Sequence, residues 1–215
     1  MSKPSNPSQV ITPAHLQKAL NYSQYRQLLD SLLSDNLTTG PDQSPKLVEY
    51  ARLNAHRMQR LDKTIPLTGE VHTALDALSK KLIWVVLTEG WCGDAAQNLP
   101  VLAQVAAVSQ GKIELKLLLR DENPEVMDAY LTNGGRSIPK LICLDAQSLV
   151  ELGTWGPRPA VVQAMVLDHM ANPQGQSHDQ FIETVHAWYA KDKTAHLQKE
   201  IAALLQAWAK VDLTV

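Results

Sequence analysis

Six consecutive apolar residues, Leu82-Ile83-Trp84-Val85-Val86-Leu87, lead into the segment Glu89-Gly90-Trp91-Cys92-Gly93-Asp94. A short run rich in β-branched residues reads as a strand covered on both faces. After Asp94 the apolar spacing changes to Leu99, Leu102, Val105 and Ala106, with Val108 at its end, the period of a helix. Cys92 therefore sits where a buried strand turns into a helix. The free N–H groups and dipole of a helix N-terminus favour an anion, so a thiolate there gains over a thiol. Gly93 keeps the turn small. Asp94 can cap the first helical turn, and its charge works against the thiolate. The expected net effect is some lowering of the Cys92 pKa.

The pattern continues with a second strand over Ile113 to Leu119 and a short helix from Pro124 to Leu131, with Asn123 as its N-cap. A turn follows at Asn133-Gly134-Gly135. Two short strands, Leu141 to Leu144 and Leu149 to Leu152, are close enough to pair as an antiparallel hairpin. A helix opens at Pro157 or Pro159, with Val161, Val162, Met165, Val166 and Met170 at helical spacing. The order β-α-β-α-β-β-α implies a parallel pair joined by a right-handed crossover, then an antiparallel return. Before this core, Pro13 to about Gly69 reads as helices broken at Gly40-Pro41, with Pro45 in a first turn, and a further short helix covers Glu70 to Lys80. After it, Asn172 to Ser177 reads as a polar linker. One long helix is expected beyond, striped by Phe181, Ile182, Val185, Trp188, Tyr189, Leu197, Ile201, Leu204, Leu205 and Trp208. The expected division is a helical extension over 1–80, an α/β core over 81–171 and a second helical extension over 172–215.

Composition narrows the function classes. Of 215 residues, 45% are hydrophobic and 20% charged, and the net charge is −2, so nothing marks a polyanion-binding surface or a nucleic-acid partner. No apolar run approaches the length of a membrane span. The start, Met1 to Val10, is polar and broken by Pro4 and Pro7, which predicts a frayed end without a secretion signal. Two cysteines, Cys92 and Cys143, cannot form a disulfide framework, and a cytoplasmic, reducing compartment is expected. The seven histidines are scattered and no Cys-x-x-Cys is present, so no metal site or other cofactor is expected.

Trp91-Cys92-Gly93-Asp94-Ala95 resembles the thioredoxin active-site turn, Trp-Cys-Gly-Pro-Cys. Forty-seven residues after Cys92 stands Pro139, in Ile138-Pro139 ahead of the strand Lys140 to Leu144, which resembles the thioredoxin cis-proline and the strand after it. The resemblance covers about Lys81 to Ala171 and implies a thioredoxin-like fold, a mixed central sheet flanked by helices, here with added N- and C-terminal helices. It places Pro139 opposite Cys92, with the backbone of Ile138 facing a bound peptide or thiol. Thr88 to Ala95, Arg120-Asp121-Glu122-Asn123 and Gly134 to Lys140 further resemble a group of uncharacterised bacterial thioredoxin-like proteins.

The departures from that pattern shape the expected chemistry. Ala95 occupies the position of the resolving cysteine. Val86 stands where thioredoxin carries a buried proton-accepting Asp. A dithiol cycle needs a second thiol to attack the mixed disulfide. Cys143 lies four residues past Pro139, roughly 13 Å along a strand, beyond the ~7 Å Cα separation that a disulfide spans. What remains is monothiol thiol–disulfide exchange, with Cys92 as nucleophile and a low-molecular-weight thiol or a protein disulfide as partner. Arg136 and Arg158, with Arg120 nearby, are candidate cations for the carboxylates of a glutathione-like thiol. Trp91, Gly93, Asp94, Ile138, Pro139 and Trp155 complete the expected binding residues. Two other readings stand beside this one: a non-catalytic binding module with a groove around Trp91, Pro139 and Trp155, and a Cys92-ligated iron–sulfur site shared between two subunits. The helical extensions are candidate surfaces for a homodimer.

Overall fold

The computed structural model describes residues 10–211. The polar, proline-broken start of the chain lies outside the described residues, save for Val10. The elements run α1 (Pro13–Lys18), α2 (Tyr22–Ser34), α3 (Pro45–Thr64), α4 (Gly69–Ala77), β1 (Leu82–Thr88), α5 (Gly93–Val108), β2 (Ile113–Leu119), α6 (Pro124–Ala129), β3 (Lys140–Asp145), β4 (Glu151–Trp155), α7 (Ala160–Ala171), α8 (His178–Asp192) and α9 (Ala195–Ala209). The strands form one mixed sheet in the order β2-β1-β3-β4. β1 pairs parallel with β2 and antiparallel with β3, and β3 pairs antiparallel with β4.

β1 is buried at every position, which is why its sequence is continuously apolar instead of alternating. Trp84 lies opposite Cys143 in the β1–β3 register and meets Trp208 of α9 edge to face, with ring centroids 6.3 Å apart. α9 thereby closes one face of the sheet and packs beside α4. On the other side α5 lies against α3. The N-terminal segment is joined to the sheet by backbone as well as side chains. Leu20 and Leu117 exchange both backbone hydrogen bonds, at 2.9 and 2.7 Å, along the edge of β2. Apolar residues from the flanking helices and from the sheet form the main core, including Tyr25, Leu29, Met58, Val71, Leu75, Ile201 and Trp208.

The single long helix expected after the linker is instead two. Lys193 (φ 50°) and Thr194 (φ 70°) both take the left-handed conformation and break it. The cause lies in packing. α9 buries Leu197, Ile201, Ala202, Leu205 and Trp208, all of them in the main core. α8 buries Phe181, Val185 and Tyr189 in a separate small cluster with Val162 of α7. Two targets in different directions require two helix axes. Other boundaries differ by a few residues. α7 starts at Ala160 with Pro159 as N-cap, and α6 ends at Ala129. Asn123 is the N-cap of α6, but its side chain donates to the Leu119 carbonyl (2.7 Å) and does not cap the helix.

Candidate functional site

Cys92 is the N-cap of α5. Its Sγ accepts from the Ala95 backbone N–H at 3.5 Å and donates to the Ile138 carbonyl at 3.3 Å. The Ile138-Pro139 bond is cis, and Pro139 stands at the head of β3. The β1–β3 pairing brings the two sequence motifs together: strands adjacent in the sheet deliver the end of β1 and the start of β3 to the same edge. Ala95 is fully buried one turn into α5. Val86 is buried and apolar. Cys143 is buried in β3 beside Trp84, and both cysteines are free thiols.

The thiol is shielded. Cys92 is 9% exposed, and its burial, reinforced by the Asp94 carboxylate, pushes the thiol up to about 12. The Ala95 N–H and the Arg158 cation pull the other way and do not offset this. The expected lowering is therefore reversed, because desolvation of the charged form outweighs the helix terminus.

Asp94 does much more than cap a helix. Its Oδ2 accepts from Nε and Nη2 of Arg158 at 2.8 and 2.6 Å, and its Oδ1 accepts from the Tyr189 hydroxyl at 2.8 Å. The Asp94 carbonyl accepts from Asn98 Nδ2 at 2.7 Å. This carboxylate thus joins the turn to the β4–α7 loop and to α8. His186, one turn before Tyr189, lies on Gly93: a Cβ there would come within 3.0 Å of its ring. The glycine is needed for this close approach. Burial, then the nearby Arg57 cation, pushes His186 down to about 4, and its buried Nδ1 has no hydrogen-bond partner among the described residues. α8 is in effect a cover seated on the cysteine turn.

A second set of contacts holds the turn from the N-terminal side. Gly90 N–H donates to Thr39 Oγ1 (2.8 Å), and Asn54 Nδ2 donates to the Gly90 carbonyl (3.0 Å). Glu89 is fully buried and accepts from the Asp121 N–H at 2.9 Å; burial raises its pKa.

Two of the arginines proposed as ligand cations, and the third nearby, are committed within the fold. Arg158 is held by Asp94. Arg136 makes a bidentate pair with Asp128 at 2.6 and 2.7 Å on the surface. Arg120 pairs with Asp121 at 2.8 Å, donates to the Arg136 carbonyl at 3.2 Å and lies over the Trp91 ring, 4.8 Å from its centroid. Trp91 is half-buried beneath it. Trp155 does not face a groove. It is 7% exposed, and its Nε1 donates to Glu200 Oε2 of α9 at 2.7 Å. The sequence reading missed Asn54, Arg57, His186 and Tyr189. Only tertiary packing brings these α3 and α8 residues to the turn, although Tyr189 was visible as part of an apolar stripe.

A mixed sheet of this order, with a cysteine at a β1–α5 turn facing a cis-proline, defines a thioredoxin-like protein. A family model described as thioredoxin matches residues 40–202, and the chain belongs to that family. Over 62 residues it is 36% identical to Thioredoxin 1 of Nostoc sp., covering 29% of this chain and 55% of that one. The chain thus spans about half the length of that relative. Among solved structures it is similar to a protein of unknown function from Pseudomonas aeruginosa, with a TM-score of 0.59 and 18% identity over 91% of this chain and 98% of the other. An HIV epitope scaffold matches over the same shares of the two chains, with a TM-score of 0.56 and 16% identity. Among the described residues, no helix is long and apolar enough to cross a membrane.

Proposed function

We propose that the protein performs monothiol thiol–disulfide exchange at Cys92, in a reducing compartment, with an external thiol as the resolving group. The observation that carries this reading is the position of Cys92 Sγ, 3.3 Å from the Ile138 carbonyl beside cis-Pro139, with an alanine one turn on. The Cys92 thiolate attacks a disulfide RS–SR′. A Cys92–SR bond forms, the RS–SR′ bond breaks, and R′S⁻ leaves and takes a proton. A second thiolate, R″S⁻, then attacks the SR sulfur. RS–SR″ forms and Cys92 leaves as the thiolate. One disulfide is exchanged for another with no net oxidant.

Access is the first requirement. With α8 seated, the thiol is buried and protonated at neutral pH. Exchange therefore needs α8 to withdraw from the turn. Withdrawal would remove the Tyr189 hydrogen bond from Asp94 and admit water to the sulfur, which lowers the thiol pKa. α8 suits such a movement. Its apolar cluster is separate from the main core, and left-handed residues flank it at Gln174, Lys193 and Thr194.

The test is to treat the reduced protein with a low-molecular-weight disulfide and follow Cys92 by mass spectrometry. A mixed disulfide that persists until excess thiol is added is the expected result. An adduct that releases itself without added thiol would overturn the monothiol step. Absence of any adduct, even in Tyr189→Ala with α8 loosened, would overturn the exchange reading.

A further inference from the structure

The cations around the cysteine turn are unequally matched. Arg158, Arg120 and Arg136 each hold a carboxylate, from Asp94, Asp121 and Asp128. Arg57 of α3 has no acidic partner among the described residues. Its Nη1 donates to Asn54 Oδ1 at 2.8 Å, and Asn54, fully buried, also holds the Gly90 carbonyl. The same guanidinium lies 4.0 Å from where a Cβ on Gly93 would stand. Arg57 is thus linked through Asn54 to Gly90 and lies beside Gly93, the residues on either side of Trp91-Cys92. It is half-buried, and its nearest charged influence, Arg60, is another cation one turn along α3.

The group now seated against Arg57 offers it nothing. His186 of α8 is neutral there, and its Nδ1 is buried and unsatisfied. A buried polar atom without a partner, beside a desolvated cation without a counter-charge, is an unfavourable pairing. A carboxylate in the same place would satisfy the guanidinium bidentately. With Asp94 paired to Arg158, Arg57 is the guanidinium beside the turn that keeps no acidic partner among the described residues.

We infer that Arg57 is the anchor for a carboxylate of the small thiol or disulfide that reacts at Cys92, taking the place that His186 holds in the covered state. The inference rests on the exchange reading for the identity of the site, and it names the substrate class: acidic low-molecular-weight thiols are preferred over neutral or cationic ones. Binding to Arg57 needs no sulfur chemistry, so it can be tested apart from exchange.

The probe is S-methylglutathione, which carries carboxylates but no reactive thiol. Its dimethyl ester is the comparison, and both are titrated by NMR against the full chain. The wild-type protein is expected to bind the acid at least about tenfold tighter than the ester. Arg57→Gln should remove that preference, Arg57→Lys should keep part of it, and Arg52→Gln, earlier in α3, should leave it intact. Equal affinity for acid and ester, no binding of either, or an unchanged preference in Arg57→Gln would overturn the inference. Failure of the exchange reading looks different: the acid binds with its Arg57 dependence, yet Cys92 forms no mixed disulfide.

Discussion

At the scale of single residues, the turn is governed by one negative charge. Asp94 raises the Cys92 thiol, second only to burial, while serving as the acceptor for Arg158 and Tyr189. Asp94→Asn removes the charge and weakens both contacts. The apparent pKa of Cys92 should fall from about 12 toward the ordinary thiol range. Each unit of fall multiplies the thiolate at neutral pH about tenfold. The rate of Cys92 alkylation against pH measures this, and an unchanged profile would show that burial alone sets the value. Ala95 sets the other property of the turn. Its N–H already points at Sγ from one turn along. Ala95→Cys should place a second sulfur within reach and convert a long-lived mixed disulfide into one that releases itself without added thiol. Mass spectrometry of the adduct over time distinguishes the two.

Among the elements, α8 decides whether the turn can be reached. Tyr189→Phe keeps the ring in its cluster and removes the hydrogen bond to Asp94. Bonds to charged groups contribute about 1.5–3 kcal/mol, so opening of α8 should increase roughly tenfold to a hundredfold. Amide hydrogen exchange in α8 reads this directly, and Cys92 alkylation should accelerate in step. The seat of α8 is also expected to depend on pH through His186. When α8 is seated, His186 titrates near 4, held down by burial and Arg57 and raised by Asp94. Released into water, it returns to about 6.5. Its contribution to docking is therefore complete above about 6.5 and is lost as pH falls toward 4. Between pH 7 and 5 the exchange of α8 amides, corrected for intrinsic rates, should increase. A flat response, or the same response in His186→Phe, would exclude His186 as the cause.

Across the whole molecule, α9 and the central sheet share one core, and stability should report it. Trp208 of α9 meets Trp84 of β1 and lies against Gly153, where any Cβ would come within 2.6 Å of the indole nitrogen. Trp208→Ala should cost about 3–5 kcal/mol, as large-to-small changes at buried aromatics do. Urea unfolding followed by circular dichroism should show a single transition shifted by that amount. A variant that lost α9 while the sheet unfolded unchanged would contradict the shared core.

The order of strands and helices, the mixed sheet and the meeting of Cys92 with Pro139 were legible in the sequence. The element order and the mixed sheet depend on local patterns, namely a continuous apolar strand, a turn and a helical period, whereas the meeting of Cys92 with Pro139 followed from the resemblance to the thioredoxin turn and cis-proline. The break at Lys193-Thr194 was not legible, because the apolar stripe runs on through it and only the two packing targets divide it. The state of the thiol was not legible either. The sequence places Cys92 at a helix N-terminus, where local electrostatics favour the thiolate. Tertiary structure buries the sulfur, with α8 packed on the adjacent Gly93 and Asp94, and desolvation reverses the sign. Likewise the sequence offered Arg136 and Arg158 as candidate ligand cations, whereas folding paired them and left Arg57 of α3 without an acidic partner among the described residues. The sequence therefore located the cysteine turn and the proline that faces it. Long-range packing decided whether that cysteine is exposed and what charge surrounds it, because burial and ion pairing depend on neighbours that are distant along the chain.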